Sequence, residues 1–390
     1  MVPRRVVAVT LLSLLIFPLA TPVSAEWEED AWLSNIIGPE RLSLGDEFGC
    51  HGMPVHESSS NNTEINSCRD YLTNRINASK WGSEPISYGV DSGKNDQTYF
   101  TSIRDAGFLL IDSNEDELID THHGLSVINY NGGSLEKNIG SKQQFDDALE
   151  SGSDLVNFFW MARDHDVIVR PETELIESIE STNAWFTTWG EHYSYRSIYG
   201  NFSVIDNDLG YWDVEFNNED TESWLVPVTS SFKSLGANVV SVEDEFNFIN
   251  ELESNEPHLK EGWRQEGNTL FLTLYPNKQV RVNFDRSEIS DVIQEPCENF
   301  NGHNFSITVA GHHTNDLFDW SRRWDDSIMR FTWLIEPREL DGFSWFLPSI
   351  AVFLALAAPV AIIYLVKTDR RAQQMVSVFD SLDGVRFGEE

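Results

Sequence analysis

The chain has 390 residues, and its 63 acidic residues outnumber its 27 lysines and arginines, which gives a formal net charge of −36. So strong a negative charge excludes nucleic acid as a partner and disfavours docking on anionic lipid, because both repel an acidic surface. The length is sufficient for two domains besides any targeting segments.

Residues 1–25 have the pattern of a secretory signal peptide. Arg4 and Arg5 provide its basic start, residues 6–19 its apolar centre, and residues 23–25 a cleavage site of small side chains. We therefore expect the mature chain to begin at residue 26 and to fold outside the cell.

The stretch EFGCHGMPVHE, residues 47–57, places two imidazoles, His51 and His56, on a turn. Pro54 prevents a regular helix between them, so they do not form a helical zinc motif. Imidazole is the commonest metal ligand in proteins, which makes the pair a candidate metal site. Such a site needs a further protein ligand, and the alternative interpretation is an exposed loop with two solvated histidines.

The three cysteines lie in the part of the chain expected outside the cell, where disulfides persist. Cys50 and Cys68 are close in sequence, and we predict a disulfide between them. Cys297 is then left over, either as a free thiol or as a link between two chains. The alternative is that Cys50 serves as a metal thiolate beside His51.

Helices and strands alternate through the first half of the chain, which predicts an α/β domain with parallel strands over residues 26–196. The predicted helices are 67–78, 96–107, 141–152 and 171–180, and the predicted strands are 86–90, 108–111, 155–160 and 184–189.

After residue 196 the pattern changes to short apolar runs separated by turn residues, with one helix predicted at 244–252. This pattern predicts an antiparallel β-sandwich over residues 197–340. The predicted strands are 202–205, 211–216, 224–228, 239–242, 270–275, 280–284, 305–309 and 329–335.

A charge-free apolar run at 342–366 is long enough to cross a bilayer as a helix. Lys367, Arg370 and Arg371 follow it directly, which places the tail, residues 367–390, in the cytoplasm. We therefore expect a single-pass protein of the cell membrane, with its N-terminal body outside and a short tail inside.

Several segments of the α/β half form a recognisable series. They are EFGCHGMPVHE, the turn Ser87-Tyr88-Gly89, the helix ending Ala106-Gly107-Phe108, and the later stretches SDLVNFFW and PETELIESIESTNAWFTTWGEHYSY. Together these segments resemble NodB-type polysaccharide deacetylases. The resemblance covers about residues 42–196. It implies a partial (β/α) barrel of the polysaccharide-deacetylase type, incomplete at its N-terminus, that precedes the β-sandwich and the transmembrane helix.

The resemblance also implies a function, which is metal-dependent removal of N-acetyl groups from an extracellular glycan. In that scheme His51 and His56 bind a divalent ion, with zinc as the first expectation. The backbone N–H of Tyr88 lies near the developing oxyanion, and His165 donates a proton to the leaving amine.

The chain departs from this family in three respects. Its histidines are five residues apart, where the family has four, and no strand with paired aspartates precedes them. The late histidine is also displaced, because the strand ends at Trp160-Met161 and His165 follows it. Candidates for the missing metal carboxylate are then Asp46, Glu47, Asp91 and the acids near the mature N-terminus, Glu28, Glu29 and Asp30. The alternatives are an inactive relative that binds a glycan or a protein at the cell surface, and a scaffold kept for stability alone.

A second candidate site is an acidic stretch with the spacing of a short calcium loop. Its potential ligands are Asp112, Asn114, Asp116 and Asp120, although Glu117 replaces the usual glycine. The alternative is a solvated acidic loop. The adjacent His312 and His313 are not expected to share an ion, because neighbouring side chains on a strand diverge. The partners expected are a glycan and the membrane, and the sequence does not fix the oligomeric state.

Overall fold

The computed structural model describes residues 33–51, 61–90, 97–113, 121–161, 170–198, 202–207, 209–217, 222–233, 235–286, 292–312, 322–335 and 346–386. The chain forms two compact units. Residues 27–338 make up the body, and residues 1–26 together with 339–390 make up the other unit.

A curled parallel sheet is the centre of the body. Its strand order is β4-β5-β3-β2-β1-β18-β17-β7-β6, and β8 pairs with the start of β17. The strands are β1 (Glu47–His51), β2 (Ser87–Gly89), β3 (Leu110–Ser113), β4 (Thr121–His122), β5 (Leu125–Asn129), β6 (Gly133–Ser134), β7 (Leu155–Met161), β8 (Trp185–Phe186), β17 (Ser306–His312) and β18 (Phe331–Ile335).

The parallel strands follow one another around the sheet in a single direction, as in a barrel. From β1 the chain moves through β2 and β3 to β5, and it returns from the opposite edge through β6, β7, β17 and β18. Residues 130–132 cross directly from β5 to β6. Asn157 of β7 donates from its backbone to the side chain of Asn131 at 2.8 Å and from its side chain to the carbonyl of Asn129 at 3.3 Å. The sheet is therefore a curled half-barrel whose two edges approach each other.

Helices cover the outer face of this sheet. Apolar side chains of the strands, such as Phe48, Phe158 and Trp333, pack there into a common core with helical residues. The helices are α1 (Gly38–Leu44), α2 (Asn61–Tyr71), which continues as a wider turn at Leu72–Ile76, α3 (Gln97–Asp105), α4 (Lys142–Glu150), α5 (Thr173–Glu180) and α6 (Trp189–Ile198). The α/β alternation predicted for this half is confirmed.

The sequence-based assignment of every strand after residue 196 to a sandwich is wrong for two strands. β17 and β18 pair in parallel with β7 and β1, and they fill the sheet beside β1 where the sequence suggested that strands were missing. All residues of both strands are buried. A strand buried on both faces is typical of the interior of a parallel sheet, whereas a sandwich strand exposes one face.

Between α6 and β17 the chain forms two four-stranded antiparallel sheets, as predicted for this region. Their apolar faces meet, with Phe202 and Trp212 of one sheet against Phe232 of the other. The first sheet has the order β12-β15-β10-β9 and the second β13-β14-β11-β16. The strands are β9 (Phe202–Asp206), β10 (Tyr211–Phe216), β11 (Val228–Lys233), β12 (Val239–Glu243), β13 (Gly262–Glu266), β14 (Thr269–Leu274), β15 (Lys278–Phe284) and β16 (Ile293–Pro296).

The helix predicted at 244–252 is not formed. The Asp244 carboxylate instead accepts the backbone N–H groups of Phe246 and Asn247 at 2.9 and 2.7 Å, which closes a tight turn after β12. Asp and Asn side chains compete with helix formation in this way.

In the second unit the structure describes one helix, α7 (Phe346–Arg386). Its stretch Val352–Val378 includes an apolar segment that is long enough to cross a membrane. The helix passes Pro359 and continues beyond the predicted end of the span at residue 366. The expected side of each terminus stays a prediction.

The disulfide between Cys50 and Cys68 is confirmed, and it ties β1 to α2. The alternative role of Cys50 as a metal thiolate is therefore wrong. Cys297 is a buried free thiol. Burial raises the pKa of this thiol to about 11, so it is protonated and unreactive at neutral pH.

Candidate functional site

Four polar side chains come together where the parallel strands end. They are His51 at the end of β1, Asp112 in β3, Tyr130 directly after β5, and His312 at the end of β17. The carboxyl ends of parallel strands lie at one edge of a sheet, and this edge is where α/β proteins most often bind ligands. The curl of the sheet brings residues from both of its halves within contact distance.

Tyr130 connects the two halves. Its hydroxyl donates to the Oδ2 atom of Asp112 at 2.9 Å and lies 3.3 Å from the Nε2 atom of His312. Because the hydroxyl proton is directed to Asp112, the tyrosine oxygen can accept a hydrogen bond from the Nε2–H group of the imidazole. The arrangement therefore orients His312 through Tyr130, as a carboxylate orients histidine in catalytic triads.

His51 lies against His312 on the inner face of the sheet, with ring centroids 4.9 Å apart and the rings edge to face. Room for this pair depends on Gly89 in β2. A Cβ atom at Gly89 would come within 2.4 Å of the His51 ring and 2.8 Å of Leu334. His51, Asp112 and His312 are all at least nine-tenths buried, so water competes little for their contacts.

Asp112 is held from two sides. Its Oδ1 atom accepts the backbone N–H of Val90 at 2.6 Å, and its Oδ2 atom accepts the Tyr130 hydroxyl. Burial raises the pKa of Asp112 to about 6, although these hydrogen bonds oppose the increase. Burial and the neighbouring Asp112 raise the pKa of Tyr130 well above its usual value, so the hydroxyl remains a donor.

The opposite end of β1 contains a second buried polar cluster. Glu47 accepts the hydroxyl of Ser87 and the backbone N–H of Gly190, the latter at 2.8 Å. Glu191 accepts the indole N–H groups of Trp81 and Trp185 at 2.6 and 3.3 Å. Burial, with a smaller contribution from the charge of Glu191, raises the pKa of Glu47 to about 7.

This second cluster cannot supply the missing metal carboxylate. A strand rises by 3.3 Å per residue, so Glu47 lies about 13 Å from His51 along β1. Asp46 accepts the side chains of Arg41 and Trp333 at 2.6 and 2.8 Å in the same buried region. The other candidates, Asp91, Glu28, Glu29 and Asp30, lie outside the described residues.

Five of the other predicted site residues lie outside the described residues, namely His56, His165, Asn114, Asp116 and Asp120. The metal site of His51 and His56, the role of His165 as a proton donor, and the calcium loop therefore stay predictions.

Tyr88 is buried on the helix-covered face of β2. Its ring packs against Phe108, and its hydroxyl lies 3.3 Å from that of Tyr99. Its side chain therefore faces away from the site, and the role expected of its backbone N–H stays a prediction.

No group of three His, Cys, Asp or Glu side chains could hold a metal ion within the ranges that the structure describes. His51 and His312 offer two imidazoles, one fewer than the protein ligands of a catalytic zinc centre. The described residues therefore do not fit a complete metal site.

Sequence reasoning missed the roles of Tyr130 and His312, which are 182 residues apart in the chain. One signal was available. The runs EFGCH and SITVAGH are both strands that end in a histidine, and such ends meet at one edge of a parallel sheet.

Comparisons of the chain with known protein families, with characterised proteins and with solved structures find no match. The chemistry of the site must therefore be derived from its own residues. Two adjacent imidazoles, one of them linked through a tyrosine to a carboxylate, form an arrangement suited to the transfer of protons to and from a bound substrate.

Proposed function

We propose that the half-barrel is a hydrolase whose active site consists of His51, His312, Tyr130 and Asp112. The observation that carries this proposal is the position of the Tyr130 hydroxyl, within hydrogen-bonding distance of both Asp112 and His312 at the carboxyl edge of the sheet. The resemblance to polysaccharide deacetylases supports the narrower proposal of N-acetyl hydrolysis on an extracellular glycan. The apolar helix α7 supports attachment of the enzyme to the membrane.

In this proposal His312 is the general base. It takes a proton from a water molecule whose oxygen attacks the acetyl carbonyl carbon. The negative charge of Asp112, acting through Tyr130, stabilises the imidazolium that forms on His312. As His312 takes this proton, His51 gives its own proton to the departing nitrogen, so the two rings never hold two protons at once. The C–N bond breaks, acetic acid and the free amine leave, and the proton on His312 returns to His51 for the next turnover.

The close contact of the two rings suits this division of roles. Two imidazolium ions repel each other at such a distance, so the pair carries one proton more readily than two. One ring is then available as a base while its neighbour serves as the acid.

The proposed function is tested by measuring acetate release by the full-length protein in detergent micelles. The substrates are N-acetylated chito-oligosaccharides and O-acetylated xylan, each with and without added Zn²⁺. Release from the N-acetylated substrate is expected. Absence of acetate from every substrate, in a protein that is folded by circular dichroism, would overturn the proposal in favour of an inactive glycan- or protein-binding relative.

Tyr130→Phe is expected to lower kcat by about 10- to 100-fold with little change in KM, because Tyr130 positions His312 without contacting substrate. The pH profile is also expected to change. Asp112 must be ionised, so activity rises through about pH 6 in the natural protein. Loss of the tyrosine hydrogen bond raises the pKa of Asp112, and the rise should move to higher pH.

The measurement is kcat against pH for both proteins. A merely structural role for Tyr130 would lower the amount of active enzyme at every pH and leave the midpoint of the profile unchanged.

A further inference from the structure

The outer face of the first antiparallel sheet contains a groove of about 770 Å³, far from the carboxyl edge of the half-barrel in sequence and topology. Strands β10 and β15 form its floor, and the turn after β12 forms one wall. The lining residues used below are Asp213, Glu243, Asp244, Phe246, Lys278 and Arg281. This volume is in the range of pockets that bind small molecules.

The floor is built around Arg281, whose guanidinium lies over the ring of Tyr211 at 4.2 Å. Its Nε and Nη2 atoms contact the two oxygens of Asp213 at 3.0 and 3.5 Å, and Asn207 donates to the same carboxylate at 2.9 Å. Arg281 is still 46% exposed, and a guanidinium has five N–H donors. A planar donor and a planar acceptor are thus fixed side by side and face solvent.

A second pair of polar side chains stands beside the first on the same face. Asn283 of β15 donates to Ser241 and Glu243 of β12, each at 3.0 Å. Donor and acceptor groups therefore alternate across neighbouring strands. Vicinal hydroxyl groups of a sugar, each both a donor and an acceptor, match such an alternation.

The wall of the groove presents Phe246, which is 83% exposed. The turn that carries it is rigid, because Asp244 accepts the N–H groups of Phe246 and Asn247 and also pairs with Lys278 at 2.8 Å. The hydrogen bonds from Lys278 and from these N–H groups lower the pKa of Asp244 to about 2, so the turn keeps its charge at physiological pH. An apolar ring is thus held in water at the edge of a polar groove.

We propose that this groove is a glycan-binding site that takes a chain of neutral or amine-bearing sugars. Phe246 would cover the apolar face of one sugar ring, and the Arg281–Asp213 pair together with Glu243 would bind its hydroxyls. The groove has more carboxylates than cations, with Glu245 as a further acid, which opposes anionic sugars and favours a free amine.

This inference extends the proposed function by giving the enzyme a second contact with its polymer, but the groove does not depend on the chemistry of the half-barrel. Failure of one proposal is therefore distinguishable from failure of the other.

The test is binding of partially deacetylated chito-oligosaccharide to the full-length protein in detergent micelles, measured by titration calorimetry. Phe246→Ala and Arg281→Ala are each expected to weaken binding at least tenfold. Phe248→Ala is the matched control, because Phe248 is also 72% exposed but does not line the groove, and it should change the Kd less than twofold. Hydrolysis of a short soluble substrate should stay unchanged in all three variants.

Equal affinities of the Phe246→Ala and Phe248→Ala proteins would overturn the proposal. It would also be overturned if an acidic polysaccharide such as polygalacturonate bound as well as the amino-sugar chain, or if an extended peptide competed for the groove while the glycan did not.

Discussion

Replacement of His312 by glutamine is expected to lower kcat for acetate release by about 10²- to 10⁴-fold, the usual contribution of a general acid or base. Glutamine has a similar length and can still form a hydrogen bond with the Tyr130 hydroxyl, now 3.3 Å from the imidazole Nε2. It cannot accept a proton at neutral pH. The variant should therefore fold normally, bind the substrate with a KM close to that of the natural protein, and fail in the chemical step.

The measurement is steady-state kinetics beside thermal unfolding for His312→Gln and for a control, His123→Gln. His123 is an exposed histidine in the turn between β4 and β5, outside the site. The control should keep full activity. Activity of the His312→Gln protein within threefold of the natural protein would remove His312 from the proposed active site.

Replacement of Glu47 by glutamine is expected to change how stability depends on pH. The pKa of Glu47 is about 7 in the folded chain, against an ordinary value of 4.5. Between these values the unfolded chain loses the proton and the folded chain keeps it, so stability falls as pH rises and the loss is complete above pH 7. A pKa difference of this size corresponds to a decrease of about 3 kcal/mol in the free energy of unfolding.

Glutamine cannot ionise, and it can keep the contacts of Glu47. Its oxygen can accept the N–H of Gly190, and its amide can donate to the hydroxyl oxygen of Ser87 once that hydroxyl rotates. The Glu47→Gln protein should therefore unfold at a higher temperature than the natural protein at pH 8, and the two should converge near pH 4.5.

The measurement is the unfolding temperature of the full-length protein from pH 4.5 to 8, followed by tryptophan fluorescence. Glu177→Gln, on the exposed side of α5, is the control and should parallel the natural protein at every pH. A Glu47→Gln protein that is less stable than the natural one at pH 8 would show that Glu47 is needed as a charge and contradict the account of its burial.

Local patterns were sufficient to predict much of the fold. Alternating helices and strands identified the parallel sheet, and the short separation of Cys50 and Cys68 identified the disulfide. The apolar run after residue 342 identified the helix of the second unit. Each of these features depends on residues that are close in sequence.

The membership of β17 and β18 in the half-barrel was not predictable in the same way. The chain leaves the parallel sheet after α6, forms two antiparallel sheets, and returns to place these strands between β7 and β1. A local pattern reports whether a run is extended and buried, but it does not report which strand lies beside it.

The candidate site was only partly predictable for the same reason. His51 was identified from its own neighbourhood, whereas Asp112 was assigned to a calcium loop because acidic residues follow it. The contacts of Tyr130 with Asp112 and His312 exist because the sheet curls, and curling depends on the packing of the whole inner face.

A double-mutant cycle on acetate release tests the central claim most directly, namely that Tyr130 acts through His312. The rates of the natural protein, Tyr130→Phe, His312→Gln and the double variant are compared at one pH. If the two side chains work as a unit, Tyr130→Phe should change the rate less than twofold once His312 has been replaced. Effects of the two substitutions that multiply independently would contradict the account.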